Sequence, residues 1–152
     1  HTCFCDGKDT PEELVIKAIT LGCSEIGFSG HSYTDIPDDK PFCMTPENTL
    51  KYKSEIKRLK AKYKDKISVL LGVEQDYFSE SSTDDYEYVI GSVHYVYKNG
   101  CYLSVDHSKE SQIKTVNEHY NGDFYAFAED YYSLVGNLYE KTKCFFDIFD
   151  KF

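Results

Sequence analysis

At 152 residues the chain is long enough for one domain that buries about two-thirds of the surface its unfolded form exposes. Hydrophobic residues make up 41% and charged residues 28%, no apolar run approaches the roughly eighteen residues of a membrane span, and nothing resembles a signal peptide. The expectation is a cytoplasmic protein with no membrane partner. The net charge of −9, with Arg58 the sole arginine among seventeen basic residues, argues against nucleic acid as a partner unless bound divalent ions supply the positive charge.

Thr10-Pro11-Glu12-Glu13 predicts a helix start, with Thr10 as N-cap, Pro11 in the first turn and Glu13 closing a capping box. Leu14, Val15, Ala18 and Ile19 continue at helical spacing, and Gly22 ends the helix. A short strand follows from Glu25 to about Ser29, ending at His31. Thr45-Pro46-Glu47 repeats the helix-start chemistry, for a helix running to Tyr63 with Leu50, Ile56, Leu59 and Tyr63 inward. The basic residues Lys51, Lys53, Lys57, Arg58, Lys60, Lys62, Lys64 and Lys66 then read as a solvated face, with an anionic docking patch the alternative. ISVLLGVEQDYF is a near-continuous apolar run, typical of a strand buried on both faces.

The acidic STDDYE stretch reads as a solvated connector and helix start, and YEYVIGSVHYVY as one further strand. Asn99-Gly100 is a turn signal before the strand-like CYLSV. Helices are expected near Ser108–Tyr120 and Phe124–Tyr139, split by Asn121-Gly122, and CFFDIFDKF reads as a last strand followed by loop. Helices alternating with buried strands give an α/β class with a mostly parallel sheet or barrel.

Three polar residues end strands: His31 after EIGFSG, Glu74 after VLLGV and His94 after VIGSV. In a parallel α/β barrel such ends meet at one mouth, and two imidazoles with a carboxylate suit zinc, manganese or iron. Each has a plain alternative: His31 bracing a loop, Glu74 paired with a lysine, His94 as a satisfied core histidine. The six cysteines (3, 5, 23, 43, 101 and 144) form no compact disulfide framework and no zinc knuckle, so free thiols are expected. Cys3-x-Cys5 lacks the context of a redox pair and reads as a bystander. His107 and His119 read as loop and helix-surface residues.

The ordered pattern H-T-x-F-C-D-G, G-H-S, G-V-E and G-S-V-H-Y-V resembles the polymerase and histidinol phosphatase (PHP) family, nearest to its histidinol-phosphate phosphatase branch. The likeness includes PFCMTPENTLKYKSEI, GDFYAFAEDYYSLV and KTKC, and runs nearly end to end. It implies a distorted (β/α)7 barrel of TIM-barrel type, two or three divalent ions at the mouth, and hydrolysis of a small phosphate ester with release of inorganic phosphate. For that branch the reaction is L-histidinol phosphate plus water to L-histidinol, in histidine biosynthesis. Residue by residue, His1 resembles the second histidine of the family's H-x-H motif, and Glu74 the carboxylate that bridges two metals. His94 resembles the histidine of the S-V-H motif, and His31 the histidine of a third metal. Asp6 lies where the family places an acidic or histidine ligand for that same ion. Glu74 and His94 are the expected catalytic residues, through the ions they hold.

Against the family pattern, the first histidine of H-x-H, the histidine of a GHFD-like motif and the closing aspartate-x-histidine are not in this sequence. The expectation is therefore a single shortened PHP-like domain over residues 1–152, a partial barrel. Three origins stay open: a fragment of a longer protein, a truncated gene, or a domain that closes as a homo-oligomer. The competing functional expectations are a PHP phosphoesterase with another substrate, and a non-catalytic remnant that binds metal weakly or serves to oligomerise.

Overall fold

Thr10 opens the first helix, α1 (Pro11–Thr20), with its side chain accepting from the Glu13 N–H while Glu13 accepts from the Thr10 N–H, the reciprocal box anticipated from the sequence. Gly22 ends it at φ 78°, a left-handed conformation that lets the Cys23 N–H reach the Ala18 carbonyl and the Gly22 N–H the Ile19 carbonyl, both at 3.0 Å. Strand β1 (Glu25–His31) follows, then α2 (Pro46–Tyr63) and β2 (Ser68–Asp76). The computed structural model describes residues 1–142, so the last strand expected in CFFDIFDKF lies outside the described residues. No helix among the described residues is long and apolar enough to cross a membrane.

The described chain divides into two compact units: His1–Gln75 with Ser79–Ile90, and Asp76–Phe78 with the chain from Gly91 onward. In the first, β1 and β2 pair in parallel from Glu25↔Ser68 to His31↔Glu74, in a three-stranded sheet ordered β1-β2-β3, with β3 spanning Tyr88–Ser92. Val15 and Ala18 of α1, Tyr52, Ile56 and Leu59 of α2, Phe28 of β1 and Val69 and Leu71 of β2 form its core. The Tyr52 hydroxyl donates to the Gly72 carbonyl at 2.8 Å. Tyr88 lies over two strand glycines: a Cβ on Gly72 would stand 2.2 Å from its ring, and one on Gly27 2.6 Å from its hydroxyl.

Leu50 is not inward as the sequence reading had it; it is 70% exposed. At 100° per residue Leu50 sits about 200° from Tyr52, and the buried stripe is Tyr52, Ile56, Leu59, with Tyr63 packed against its edge. The basic face of α2 is matched by acids: Arg58 and Lys62 both reach Glu12 at 2.6 Å, Lys53 reaches Asp85 and Lys60 reaches Glu87. The STDDYE stretch starts no helix. The Tyr86 N–H closes a turn onto the Thr83 carbonyl, and the chain passes directly into β3.

YEYVIGSVHYVY, whose first five residues belong to the first unit and the rest to the second, is broken rather than continuous. Strand β3 stops at Ser92, and β4 (Tyr95–Lys98) pairs antiparallel with β5 (Cys101–Ser104). The break has a polar cause: an Asp76 carboxylate oxygen accepts the His94 N–H at 3.2 Å, taking the donor a continuing strand would have used. Asn99 and Gly100, at φ 53° and 81°, form the tight turn between β4 and β5, so this hairpin departs from the mostly parallel sheet expected. Helices α3 (Lys109–His119) and α4 (Phe124–Thr142) are joined through Asn121 and Gly122, both at positive φ, and the Asp123 carboxylate accepts from Tyr125 and Ala126 at the start of α4. Val93, Val96, Leu103, Val105, Val116, Tyr120, Phe127, Tyr131 and Leu138 make the second unit's core.

Two outcomes test this packing. Gly72→Ala is expected to destabilise the chain by about 1–3 kcal/mol, because the methyl displaces the Tyr88 ring; chemical denaturation reads it, and an unchanged midpoint would contradict the close approach. Hydrogen bonds from Lys62, Tyr63 and Arg58 lower Glu12 from its ordinary 4.5 to about 2. A carboxylate depressed in the folded state stabilises above pH 4.5 and loses that contribution as pH falls from 4.5 toward 2. Over that window the melting temperature of Glu12→Gln is expected to fall less steeply than wild type, and the difference to shrink in high salt.

Candidate metal centre

The parallel register makes His31 and Glu74 direct partners at the ends of adjacent strands. The Ser32 N–H donates to the Glu74 carbonyl at 2.8 Å and the Met44 N–H to the His31 carbonyl at 3.2 Å, which pins both ends. Glu74 is 1% exposed, a costly place for a carboxylate unless positive charge is near. Two imidazoles supply it: His31 Nδ1 lies 3.6 Å from Oε1, and His1 Nε2 lies 3.3 Å from Oε2. The two rings meet edge to face with centroids 4.4 Å apart.

His1 is brought there by a curl of the first ten residues. The Cys5 and Gly7 N–H groups both donate to the Thr2 carbonyl, at 3.0 and 3.1 Å, and the Cys3 N–H donates to the Asp9 carbonyl. Thr2 is buried, and the Asn48 side chain of α2 donates to the Phe4 carbonyl at 3.3 Å. Gly7 permits the curl because a Cβ there would stand 2.6 Å from the Thr2 nitrogen. The curl returns Asp6 to the site, with Oδ1 2.8 Å from His1 Nδ1 and Oδ2 3.7 Å from His31 Nε2. His1, Asp6, His31 and Glu74 thus form a closed ring of alternating imidazoles and carboxylates.

The donor set fits a divalent ion. Only the His1–Asp6 contact has hydrogen-bond length; the others, at 3.3, 3.6 and 3.7 Å, are longer than such bonds normally run. Two ligands of one tetrahedral ion, each about 2.1 Å from it, stand about 3.4 Å apart. His1, His31 and Glu74 each offer a ligand atom within 4.8 Å of the others, and so does a second set, His1, Cys5 and Asp6. Protonation follows the same charges. The neighbouring Cys5 and then the Glu74 carboxylate, with Asp6, outweigh burial and push His1 up to about 11. Burial opposes the ionisation of Asp6, yet the His1 hydrogen bond and the His31 and His1 charges carry it below the ordinary carboxylate value. For Cys5, burial is likewise outweighed by hydrogen bonds from His1 and from backbone groups, and the thiol is lowered. A proton on His1 balances the carboxylates, a charge that a divalent ion would supply in its place.

His94 lies in the second unit. Its Nδ1 is 2.8 Å from an Asp106 oxygen, and Ser104 donates to the other oxygen of Asp106 at 3.4 Å. A metal-ligating imidazole held this way binds through Nε2, with its ring fixed and its basicity raised. Asp106 is not among the residues expected from the sequence, although an acid just after a strand is a usable signal, and Cys5 shares with Cys3 the expectation of a bystander. The free thiols expected are found at Cys3, Cys5, Cys23, Cys43 and Cys101. His107 is exposed and His119 stands in the last turn of α3.

The PHP domain model matches residues 1–148. The chain belongs to the PHP family. The histidinol-phosphatase of Bacillus subtilis is 27% identical to this PHP chain over 152 residues, covering 89% of the chain and 56% of that protein. Among solved structures, the HisK protein of Listeria monocytogenes, provisionally named a histidinol phosphatase, superposes with a TM-score of 0.61 at 23% identity, covering 73% of this chain and 49% of its own. The histidinol phosphate phosphatase of Lactococcus lactis, solved with zinc, L-histidinol and phosphate, gives 0.54 at 23% identity, over 81% and 53%. At that identity the two likenesses speak to fold: the α/β arrangement expected from the sequence, shorter than its relatives. This PHP chain spans about half the length of the curated relatives it matches.

Glu74→Gln is expected to weaken zinc binding at least about tenfold, no less than the loss of an outer partner costs at other metal sites. Competition against a chromophoric chelator measures it, and unchanged affinity would remove Glu74 from the centre.

Proposed function

We propose that this PHP chain is a metal-dependent phosphoesterase acting on a small phosphomonoester, with L-histidinol phosphate the first substrate to test. The observation that carries the reading is the ring of two imidazoles and two carboxylates at the ends of two adjacent parallel strands, with three of its four contacts at ligand rather than hydrogen-bond spacing. The names of the relatives and the zinc, histidinol and phosphate of the Lactococcus lactis structure support the substrate class. Residues 1–152 are read as belonging to one PHP-type domain.

His1, His31 and Glu74 would hold a divalent ion, with zinc favoured, and Asp6 would either ligate a neighbouring ion or hold His1 by its Nδ1. Such ions supply an activated water and neutralise phosphoryl oxygens. The residues do the rest. Glu74, buried and flanked by imidazoles, presents its carboxyl group at the end of β2. Asp6 takes the Nδ1 side of His1, so that Nε2 is aimed at Glu74. Asp106 does the same for Nδ1 of His94, which is kept as a catalytic ligand on its S-V-H motif. In an acidic chain with a single arginine, phosphate recognition by guanidinium is largely forgone, and the positive charge is left to bound cations. Hydrolysis breaks the ester P–O bond, the water oxygen goes to phosphorus, and a proton ends on the leaving alcohol.

The test is phosphate release from L-histidinol phosphate by the chain loaded with zinc or manganese. Turnover that falls at least about a hundredfold in Glu74→Ala and in His94→Ala is the expected result. Bound metal with no turnover on this or other small phosphomonoesters would overturn it in favour of a non-catalytic metal-binding module.

A further inference from the structure

We propose that Cys5 is a metal ligand in this chain, forming with His1 and Asp6 a sulfur-containing donor set that turns the centre toward zinc and away from manganese or magnesium. The inference rests on reading the cluster as a metal centre, and deepens it by naming a ligand and a metal preference. One ligand atom each from His1, Cys5 and Asp6 lie within 4.8 Å of one another, and this set shares His1 with the set His1, His31 and Glu74.

The sulfur is held by the same curl that holds the other two. The Thr2 N–H points at Sγ from 3.5 Å, and Sγ lies 3.5 Å from the Thr2 carbonyl oxygen. That carbonyl is also the acceptor for the Cys5 and Gly7 N–H groups, so sulfur, imidazole and carboxylate are positioned by one closed turn. Sγ also lies against β1: a Cβ on Gly30, the residue before His31, would stand 3.6 Å from it. Cys3 is exposed and joins no such set among the described residues. The curl therefore sorts two cysteines that look equivalent in the sequence. It turns one out to solvent and the other to an imidazole and a carboxylate.

A half-buried cysteine is commonly a small apolar filler, and such a role calls for apolar neighbours. Cys5 does pack against the first unit's apolar core, and it also has the donor groups of His1 and Asp6 within ligand reach. As a ligand its thiol gives its proton to solvent while the sulfur–metal bond forms, with no change of oxidation state. A soft sulfur added to imidazole and carboxylate raises affinity for zinc and cobalt far more than for manganese or magnesium, which prefer oxygen.

The experiment is titration of the reduced 152-residue chain with cobalt(II), recording the near-ultraviolet thiolate-to-cobalt charge-transfer band, with retained cobalt measured by equilibrium dialysis. The expected result is a band that is lost in Cys5→Ser and kept in Cys3→Ser, and a zinc-to-manganese affinity ratio lower by about tenfold or more in Cys5→Ser. Cobalt retained without the band, or a band that survives in Cys5→Ser, overturns the proposal and leaves the metal centre standing. No cobalt retained overturns both. Should Cys5→Ser fail to fold, zinc protection of wild-type thiols from iodoacetamide, read by peptide mass spectrometry, decides the matter. Cys5 shielded and Cys3 alkylated supports the proposal, and Cys5 alkylated at the rate of Cys3 overturns it.

Discussion

The candidate centre depends on the parallel pairing of β1 with β2 in a register that ends His31 beside Glu74. Side chains alternate along a strand, so a slip of one residue would send Glu74 to the opposite face and separate it from His31. The register is held from both sides. On one, Tyr52 of α2 donates to the Gly72 carbonyl from within the core; on the other, Tyr88 lies flat where Gly27 and Gly72 leave room for a ring. Two glycines that weaken a strand by propensity here buy a close aromatic cover over the pair that carries the site.

Burial sets the electrostatics. Glu74 is shut away from water, and a carboxylate so placed needs a compensating charge within a few ångströms. The adjoining imidazoles are one source of it, and a divalent ion is another. The spacing suits the second: His1 Nε2 and His31 Nδ1 stand 3.3 and 3.6 Å from the Glu74 oxygens, too long for hydrogen bonds and close to the separation of ligands on one ion. Asp6 lies at the opposite nitrogen of each ring. Asp6 and Asp106 play parallel parts in the two units, each fixing the Nδ1 side of a histidine and thereby choosing the nitrogen it presents.

Much of the local structure was legible from the residues. Thr10 and Thr45, each followed by proline, mark helix starts because a hydroxyl can satisfy an N–H that the helix leaves over. Asn99-Gly100 and Asn121-Gly122 mark turns because those positions require positive φ. Where the reading failed, a distant partner had intervened. The strand expected through His94 is broken because Asp76, eighteen residues earlier, takes its N–H. Leu50 is exposed rather than inward, because the buried stripe of α2 is set by what faces Tyr52 and Ile56.

The candidate site divides along the same line. Sequence alone determined the family, through short motifs in a fixed order. It named His31, Glu74 and His94 because a polar residue closing an apolar strand stands out without any knowledge of its neighbours, and His1 and Asp6 through the family resemblance alone. Tertiary structure alone decided that His1, Asp6, His31 and Glu74 form one ring, that Asp106 backs His94, and that Cys5 rather than Cys3 faces the donors. The physical reason is that ligand identity is a property of a residue, while ligand geometry is a property of distances between chain segments. Here those distances come from a strand register and a ten-residue curl, and neither leaves a local mark on the residues it brings together.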